Sequence, residues 1–272
     1  MPSLKQITKF KKNVNKSSIY KNRGEVLKTF YKLSLKKSLF SNNKPGTEKL
    51  MNRAFSYLDY STLYILFDEI FGGLDYYFKT DKREPCIIDC GSNVGMSLFF
   101  FSYMYPAAKI TGFEPDDLAF EMLKKNTADQ KNVSVFKKAV TDHDGTIDFF
   151  TDPENAGSLQ MSLYESRESE KKITVECISL SDFIDSPVDF LKMDIEGAEL
   201  TVFIDLDKKK KLQYIEQMVI EYHHHIDIDE DKLAVMLGIL ESNGYGYQIR
   251  AENDVPFNKK VMQDVIIYAY KK

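Results

Sequence analysis

The chain has 272 residues, of which 43% are apolar and 29% charged, with a formal net charge of −4. That composition excludes a disordered chain and a disulfide-stapled miniprotein, and suits one large domain or one domain with a small appendage. The longest apolar run, near residues 98–105, is about half the length a membrane-spanning helix needs.

Charge is unevenly placed along the chain. Residues 1–49 hold 13 Lys and Arg against Glu25 and Glu48, a surplus of +11 that leaves −15 on the rest. This pattern predicts a basic arm on an acidic body. Leu27, Phe30, Tyr31, Leu35 and Leu39 fall at roughly helical spacing, so the arm reads as a solvated or partly docked helix. Its lysines would also suit an anionic membrane surface or a phosphate-bearing partner. No nucleic-acid motif accompanies the charge, and nucleic acid is not expected as a partner. Met1-Pro-Ser-Leu-Lys-Gln lacks the apolar segment of a signal peptide. Cys86, Cys90 and Cys177 lie in apolar runs without metal-ligand spacing. They read as free thiols in a cytoplasmic protein, with peripheral membrane contact through the basic segment as a further option.

Asn42-Asn43-Lys44-Pro45-Gly46 marks a boundary. Residues 47–71 read as helical, from Leu50, Ala54, Tyr57, Leu58, Leu63, Phe67, Ile70 and Phe71, with Gly72-Gly73 as the stop. This stretch would form a helical lid. The expected division is a basic helical extension over 1–80 and the main domain over 81–272.

From residue 85 strands and helices alternate. Strands are predicted over 86–90, 109–114, 133–136 (carried on to 139–140), 188–193 and 214–221, and helices over 94–105, 116–128, 200–206 and 229–242. Segments 146–150, 159–163 and 173–178 read as an inserted β-hairpin, and 247–250 and 265–270 as closing strands. The alternation predicts an α/β fold with a doubly wound, mostly parallel sheet.

Asp89-Cys-Gly91-Ser92-Asn93-Val-Gly95 stands where the first of these strands hands over to a helix. Two glycines permit a tight turn and close approach to a ligand, and the helix N-terminus offers free N–H groups. Glu114 ends the next strand, where an acidic side chain can take both hydroxyls of a ribose. The dinucleotide pattern G-x-G-x-x-G is absent. Together these features predict a site for a nucleoside-containing cofactor.

Asp before a G-x-x-x-G loop, with an acidic residue at the second strand's tip, resembles the first motif of class I S-adenosylmethionine methyltransferases. Phe190-Leu-Lys-Met-Asp194-Ile-Glu196-Gly197-Ala-Glu199 resembles the signature of the FkbM-type methyltransferases. Gly112-Phe-Glu114-Pro115, Asn126, Ala139-Val140 with Gly145, Leu180 with Asp182, and Glu221-Tyr-His223 match the family pattern around it. The resemblance covers roughly residues 85–250. Residues 1–80 match no named pattern, and Cys90 stands where the family often has Val or Ile.

What the resemblance implies is a Rossmann-like class I methyltransferase sheet and S-adenosylmethionine-dependent O-methylation of a small-molecule or glycan hydroxyl. Asp89, Gly91, Ser92, Asn93 and Gly95 would hold the methionine part of the cofactor and Glu114 its ribose. Ala139 and Val140, with Asp142 nearby, would lie against the adenine. Asp194, Glu221 and His223 are the catalytic candidates, since a hydroxyl acceptor needs a base or a cation beside it. Glu196 is read either as an acceptor contact or as a turn residue holding backbone N–H groups. Ser158, in a Gly-Ser element of the hairpin insertion, is read either as an acceptor contact or as part of a turn. Glu199 fits the first turn of a helix. A magnesium ion held by Asp194, Glu221 and waters would be a second way to activate the acceptor. A non-sugar acceptor, and a nucleoside-binding module without catalysis, stay open at this point.

Overall fold

The computed structural model describes residues 4–16, 19–39, 44–151, 171–224, 232–251 and 263–272. The N-terminal part opens with helices α1 (Leu4–Lys16) and α2 (Arg23–Leu39). Strands β1 (Gly46–Leu50) and β2 (Arg53–Tyr57) follow, then helix α3 (Tyr60–Phe67), which runs on as a π-helical turn over Asp68–Gly73.

Its basic composition does not leave this part outside the core. Phe10, Val14, Val26, Phe30 and Leu33 are buried with Phe67, Phe71 and Phe100. The rings of Phe10 and Phe30 stack at 3.7 Å. Glu48 is buried and takes ion pairs from Lys32 (2.8 Å) and Lys36 (2.6 Å), so two of the partly exposed lysines reach an internal partner.

Residues 46–57 correct the helical expectation. They form an antiparallel hairpin in which Leu50 pairs with Arg53. The two-residue turn, Met51 and Asn52, has φ of 42° and 66°, the doubly left-handed form that matches strand twist. Glu48, Leu50 and Phe55 face inward at the two-residue period of strands. The Asn126 side chain then joins this hairpin to the rest of the chain: it receives the Ser56 N–H (2.7 Å) and donates to the carbonyls of Ser56 and Val94 (2.8 Å each).

The remaining elements follow the predicted alternation. They are β3 (Cys86–Cys90), α4 (Met96–Met104), β4 (Lys109–Phe113), α5 (Asp117–Thr127), β5 (Val133–Phe136), β6 (Ala139–Thr141), β7 (Gly145–Thr151), β8 (Lys171–Ser179) and α6 (Leu180–Phe183). Then come β9 (Val188–Met193), α7 (Glu199–Lys208), β10 (Ile215–His224), α8 (Leu233–Ser242), β11 (Tyr245–Ala251) and β12 (Gln263–Lys271). Seven strands make the main sheet in the order β11-β12-β10-β9-β3-β4-β5. All its pairings are parallel except those of β12, which runs antiparallel to both neighbours. This is the doubly wound, mostly parallel α/β sheet that the alternation predicts, with a Rossmann-like strand order.

One face of the sheet is covered by α4 and the N-terminal part, the other by α7 and α8. β6 leaves the line of β5 and joins β7 and β8 in a separate three-stranded sheet. The strand predicted over 159–163 and the Gly-Ser element with Ser158 lie outside the described residues. All three cysteines are free, with Cys90 and Cys177 buried. Among the described residues no helix is long and apolar enough to cross a membrane.

Candidate active site

β3 and β9 are adjacent, yet the chain runs from β3 outward through β4 and β5 before returning to β9 on the opposite side. An open α/β sheet binds ligands in the crevice that such a reversal leaves at the strands' carboxyl ends. Gly91 and Asp194 sit at those two ends and touch through their backbones. A Cβ on Gly91 would stand 1.8 Å from the Asp194 carbonyl oxygen, and Gly91 has φ +82°. No side chain fits there, so the chain turns closely enough to leave a cradle above it. Gly91 and Ser92 donate their N–H groups to the Phe113 carbonyl (3.0 and 2.8 Å), tying the turn to β4.

Asp89 lies beneath the turn, fully buried. Its Oδ2 accepts from Ser97 Oγ at 2.5 Å. Its Oδ1 has no hydrogen-bond donor and faces Lys192 Nζ at 3.4 Å. A buried carboxylate oxygen with spare acceptor capacity fits an incoming ammonium. Glu114 accepts the Asn93 N–H on Oε2 (2.7 Å) and the Asp116 N–H on Oε1 (2.9 Å), which leaves lone pairs on both oxygens. Burial pushes its carboxyl up to about 7, against the pull of those two N–H groups.

Ser92, Asn93, Glu114, Ala139 and Val140 line one continuous cleft with Gly91, Asp194 and Glu196. Gly95 is the left-handed residue before α4, where a Cβ would meet Leu123. Of the other expected site residues, Asp89, Gly95, Glu221 and His223 are not among the lining of this cleft, and neither is Asp142. Its carboxylate turns to His143 Nδ1 (2.8 Å) and Thr141 Oγ1 (3.1 Å), and it lines a different surface hollow. Lys138 lines the cleft beside Ala139 and Val140 instead. Leu66, Ile70 and Tyr76 supply the roof from the N-terminal part, the first two from within the stretch read as a helical lid.

At the other end of the cleft Asp194, Glu196 and His223 converge. His223 Nε2 lies 3.4 Å from Glu196 Oε2 and 4.0 Å from Asp194 Oδ1. On its far side His223 Nδ1 meets Glu199 Oε1 at 2.9 Å. Glu199 is itself buried and accepts the N–H groups of Ile195 and Gly197 (3.1 Å each). It is therefore a brace for the Ile195–Gly197 turn and for the imidazole, beyond its place in the first turn of α7. Burial works against charge on His223, but Glu199, Glu196 and Asp194 outweigh it and lift the imidazole to about 10. At neutral pH it is an imidazolium. Glu221 is raised to about 8, first by Asp194 and then by burial. Glu69, beside the π-helical turn, is pushed up to about 7 by burial and by Asp75 and Asp68.

Lys192, one residue before the end of β9, is the group that sequence reasoning passes over. It is 2% exposed, inside a strand whose six residues are all buried. A lysine in a run of Val, Phe, Leu and Met is itself the signal that could have found it, since a fully buried lysine needs partners.

The methyltransferase FkbM domain model matches residues 89–247, more than half of the chain. A 2-O-methyltransferase, NoeI, of Sinorhizobium fredii is 29% identical over 141 residues, covering 45% of this chain and 57% of that protein. The 31-O-demethyl-FK506 methyltransferase FkbM of Streptomyces tacrolimicus is 25% identical over 226 residues, covering 71% and 84%. The crystal structure of methyltransferase FkbM from Methylobacillus flagellatus superposes with a TM-score of 0.47 at 17% identity, over 90% of this chain and 58% of that one.

Proposed function

Because the chain belongs to the FkbM methyltransferase family, we propose that it is an S-adenosylmethionine-dependent O-methyltransferase whose acceptor is a sugar hydroxyl, in a glycan or its precursor. The observation that carries this is the division of one cleft into two chemically distinct ends. Gly91 and Glu114 line a close-walled end, with the buried Asp89 beneath it, suited to an amino-acid ammonium and a ribose. Asp194 and Glu196 line the other end, with the buried His223 beside them and Glu221 raised in proton affinity by the field of Asp194.

S-Adenosylmethionine, when bound, supplies a methyl group already activated on a sulfonium. The protein's own task is alignment and proton removal. Asp89 and Asp194 would orient the cofactor's amino-acid end, and Glu114 its ribose. Glu221, with proton affinity raised to about 8, suits a general base near neutral pH. His223, already protonated, suits holding an acceptor oxygen as charge grows on it rather than removing its proton. Carboxylates pair well with vicinal hydroxyls, which supports a sugar, and one relative is named a 2-O-methyltransferase.

Asp194, Glu196 and His223 place three ligand atoms within 4.8 Å of one another. That set brings in an imidazole, which departs from the all-oxygen shell magnesium prefers, and leaves out Glu221, the second carboxylate of the expected magnesium site.

A peripheral contact with anionic lipid draws support from α2. Leu35 and Leu39 are 62% and 64% exposed, one turn apart, on a helix that also exposes Lys28 and Lys36.

The test is methyl transfer from labelled S-adenosylmethionine to panels of sugar and non-sugar hydroxyls, with and without a chelator. A methyl ether on a sugar supports the proposal. Turnover only on the other panel moves the acceptor class. Cofactor binding without turnover on any acceptor favours a nucleoside-binding module, and loss of turnover with chelator restores a metal.

A further inference from the structure

Lys192 is held by both ends of the cleft. Its ammonium donates to the Gly91 carbonyl (2.5 Å) and the Cys90 carbonyl (3.3 Å), and pairs with Asp89 (3.4 Å) and Asp194 (3.2 Å). The Tyr76 ring covers it from the N-terminal part, 5.5 Å from Nζ. Gly91 and Asp89 belong to the turn after β3, Asp194 to the turn after β9. Nothing else among the described side chains touches both turns so closely.

We propose that Lys192 is the positioning residue of this site: a fixed internal cation that locks the β3 and β9 turns together and keeps Asp89 and Asp194 both available as anions for the ammonium of the cofactor. This rests on the methyltransferase reading above. Two carboxylates that share one buried cation carry a net single negative charge, which an arriving ammonium neutralises. Without that cation the two carboxylates would face each other in a low dielectric with no counter-charge, a situation that favours the proton-bound form of one of them.

The surroundings agree. Burial alone would strip the proton from Lys192, but Asp194, Asp89 and Glu221 reverse this and hold it well above the ordinary lysine range. The charged and titratable groups facing it are Asp89 from β3, Asp194 beyond its own strand, Glu221 from β10 and the Tyr76 hydroxyl, which burial keeps neutral.

The test is the affinity for S-adenosylhomocysteine, which keeps the amino-acid ammonium, measured by calorimetry from pH 6 to 9 for wild type, Lys192→Met and Lys192→Arg. In Lys192→Met, ligand binding must expel the proton shared by the two aspartates. Its affinity falls at least tenfold at pH 7 and then recovers with pH, up to about tenfold per unit more steeply than wild type. Lys192→Arg keeps the wild-type slope.

Equal affinity and slope in Lys192→Met, or a uniform loss at every pH, would overturn the proposal, since the second is what a merely structural side chain gives. Should Lys192→Met not fold, wild-type protein carries the test through the side-chain 15N resonance missing from Lys192→Arg: it must shift when S-adenosylhomocysteine is added, and an unmoved resonance overturns the proposal. If wild type binds no S-adenosylhomocysteine, the functional reading falls first and takes this proposal with it. If wild type binds and only the Lys192 effects are absent, this proposal falls alone.

Discussion

The two ends of the cleft are built from different materials. The Gly91–Glu114 end is made of backbone: a left-handed glycine against a carbonyl, N–H groups on Phe113, and a carboxylate fixed by two more N–H groups. The Asp194–His223 end is made of side-chain charge, with an imidazolium among carboxylates that each change the others' proton affinity. Backbone geometry tolerates no substitution, and what pH response this end has comes through Glu114, whose carboxyl burial pushes up to about 7. A charge cluster tolerates isosteric changes but responds steeply to pH. A cofactor common to many enzymes suits the first, and an acceptor that must lose a proton suits the second.

The sharpest way to break the first end is Gly91→Ala. Left-handed strain and the clash with the Asp194 carbonyl together cost about 3 kcal/mol. Thermal unfolding should show the loss of stability, and calorimetry the loss of S-adenosylhomocysteine binding. Normal binding would mean the turn is not the cradle.

At the second end, Glu221→Gln should lower turnover by about 10²-fold or more while leaving S-adenosylhomocysteine affinity within about threefold, as expected for a change confined to chemistry. In wild type, kcat/KM should rise with pH up to about 8, where the Glu221 carboxyl gives up its proton, and this limb should vanish in the glutamine variant. Equal losses in affinity and turnover would merge the two ends.

Stability should follow the same contrast. Glu114 at about 7, Glu221 at about 8 and His223 at about 10 all hold protons in the folded state that the unfolded chain releases earlier. Each raised pKa stabilises the fold fully below its unfolded value and loses that contribution as pH climbs through the folded value. The melting temperature should therefore decline from about pH 5 toward pH 10. His223→Gln should flatten the upper part, between about 6.5 and 10. A melting temperature constant over that window would contradict the charge assignment.

The smallest expected effect lies far from both ends. Leu35→Glu with Leu39→Glu, on the exposed face of α2, should change stability by less than about 0.5 kcal/mol. It should nevertheless abolish co-sedimentation with phosphatidylglycerol vesicles at low salt. Unchanged sedimentation would remove the lipid contact from the account.

How much of this is legible in the sequence follows the same divide between local and distant physics. The turn from Asp89 to Gly95, Glu114 at a strand tip, and the run from Phe190 to Glu199 carry their geometry in residue spacing, and the structure places them together. The hairpin at 46–57 does not. Its apolar residues happen to fit a helical period, and the deciding feature is a turn whose Met51 gives no warning of a positive φ. Leu66 and Ile70 of the roof fall within the stretch read as a helical lid, but which of its side chains face the cleft is set by packing between segments distant in sequence, for which spacing holds no signal. Asp142 follows directly on β6, but a neighbouring histidine captures its carboxylate. Lys192 lies between the two cases: the sequence shows it inside an apolar strand, while its partners across the crevice appear only in three dimensions.

The most direct test of the central claim is a calorimetric titration of the protein with S-adenosylhomocysteine, with NAD as the control, repeated on Glu114→Ala. One site that takes S-adenosylhomocysteine, refuses NAD and weakens by about 10- to 100-fold in the variant, as expected for lost hydrogen bonds to a charged group, is what the cleft at the β3–β9 crevice requires. Binding of NAD in its place, or S-adenosylhomocysteine binding indifferent to Glu114, would contradict it.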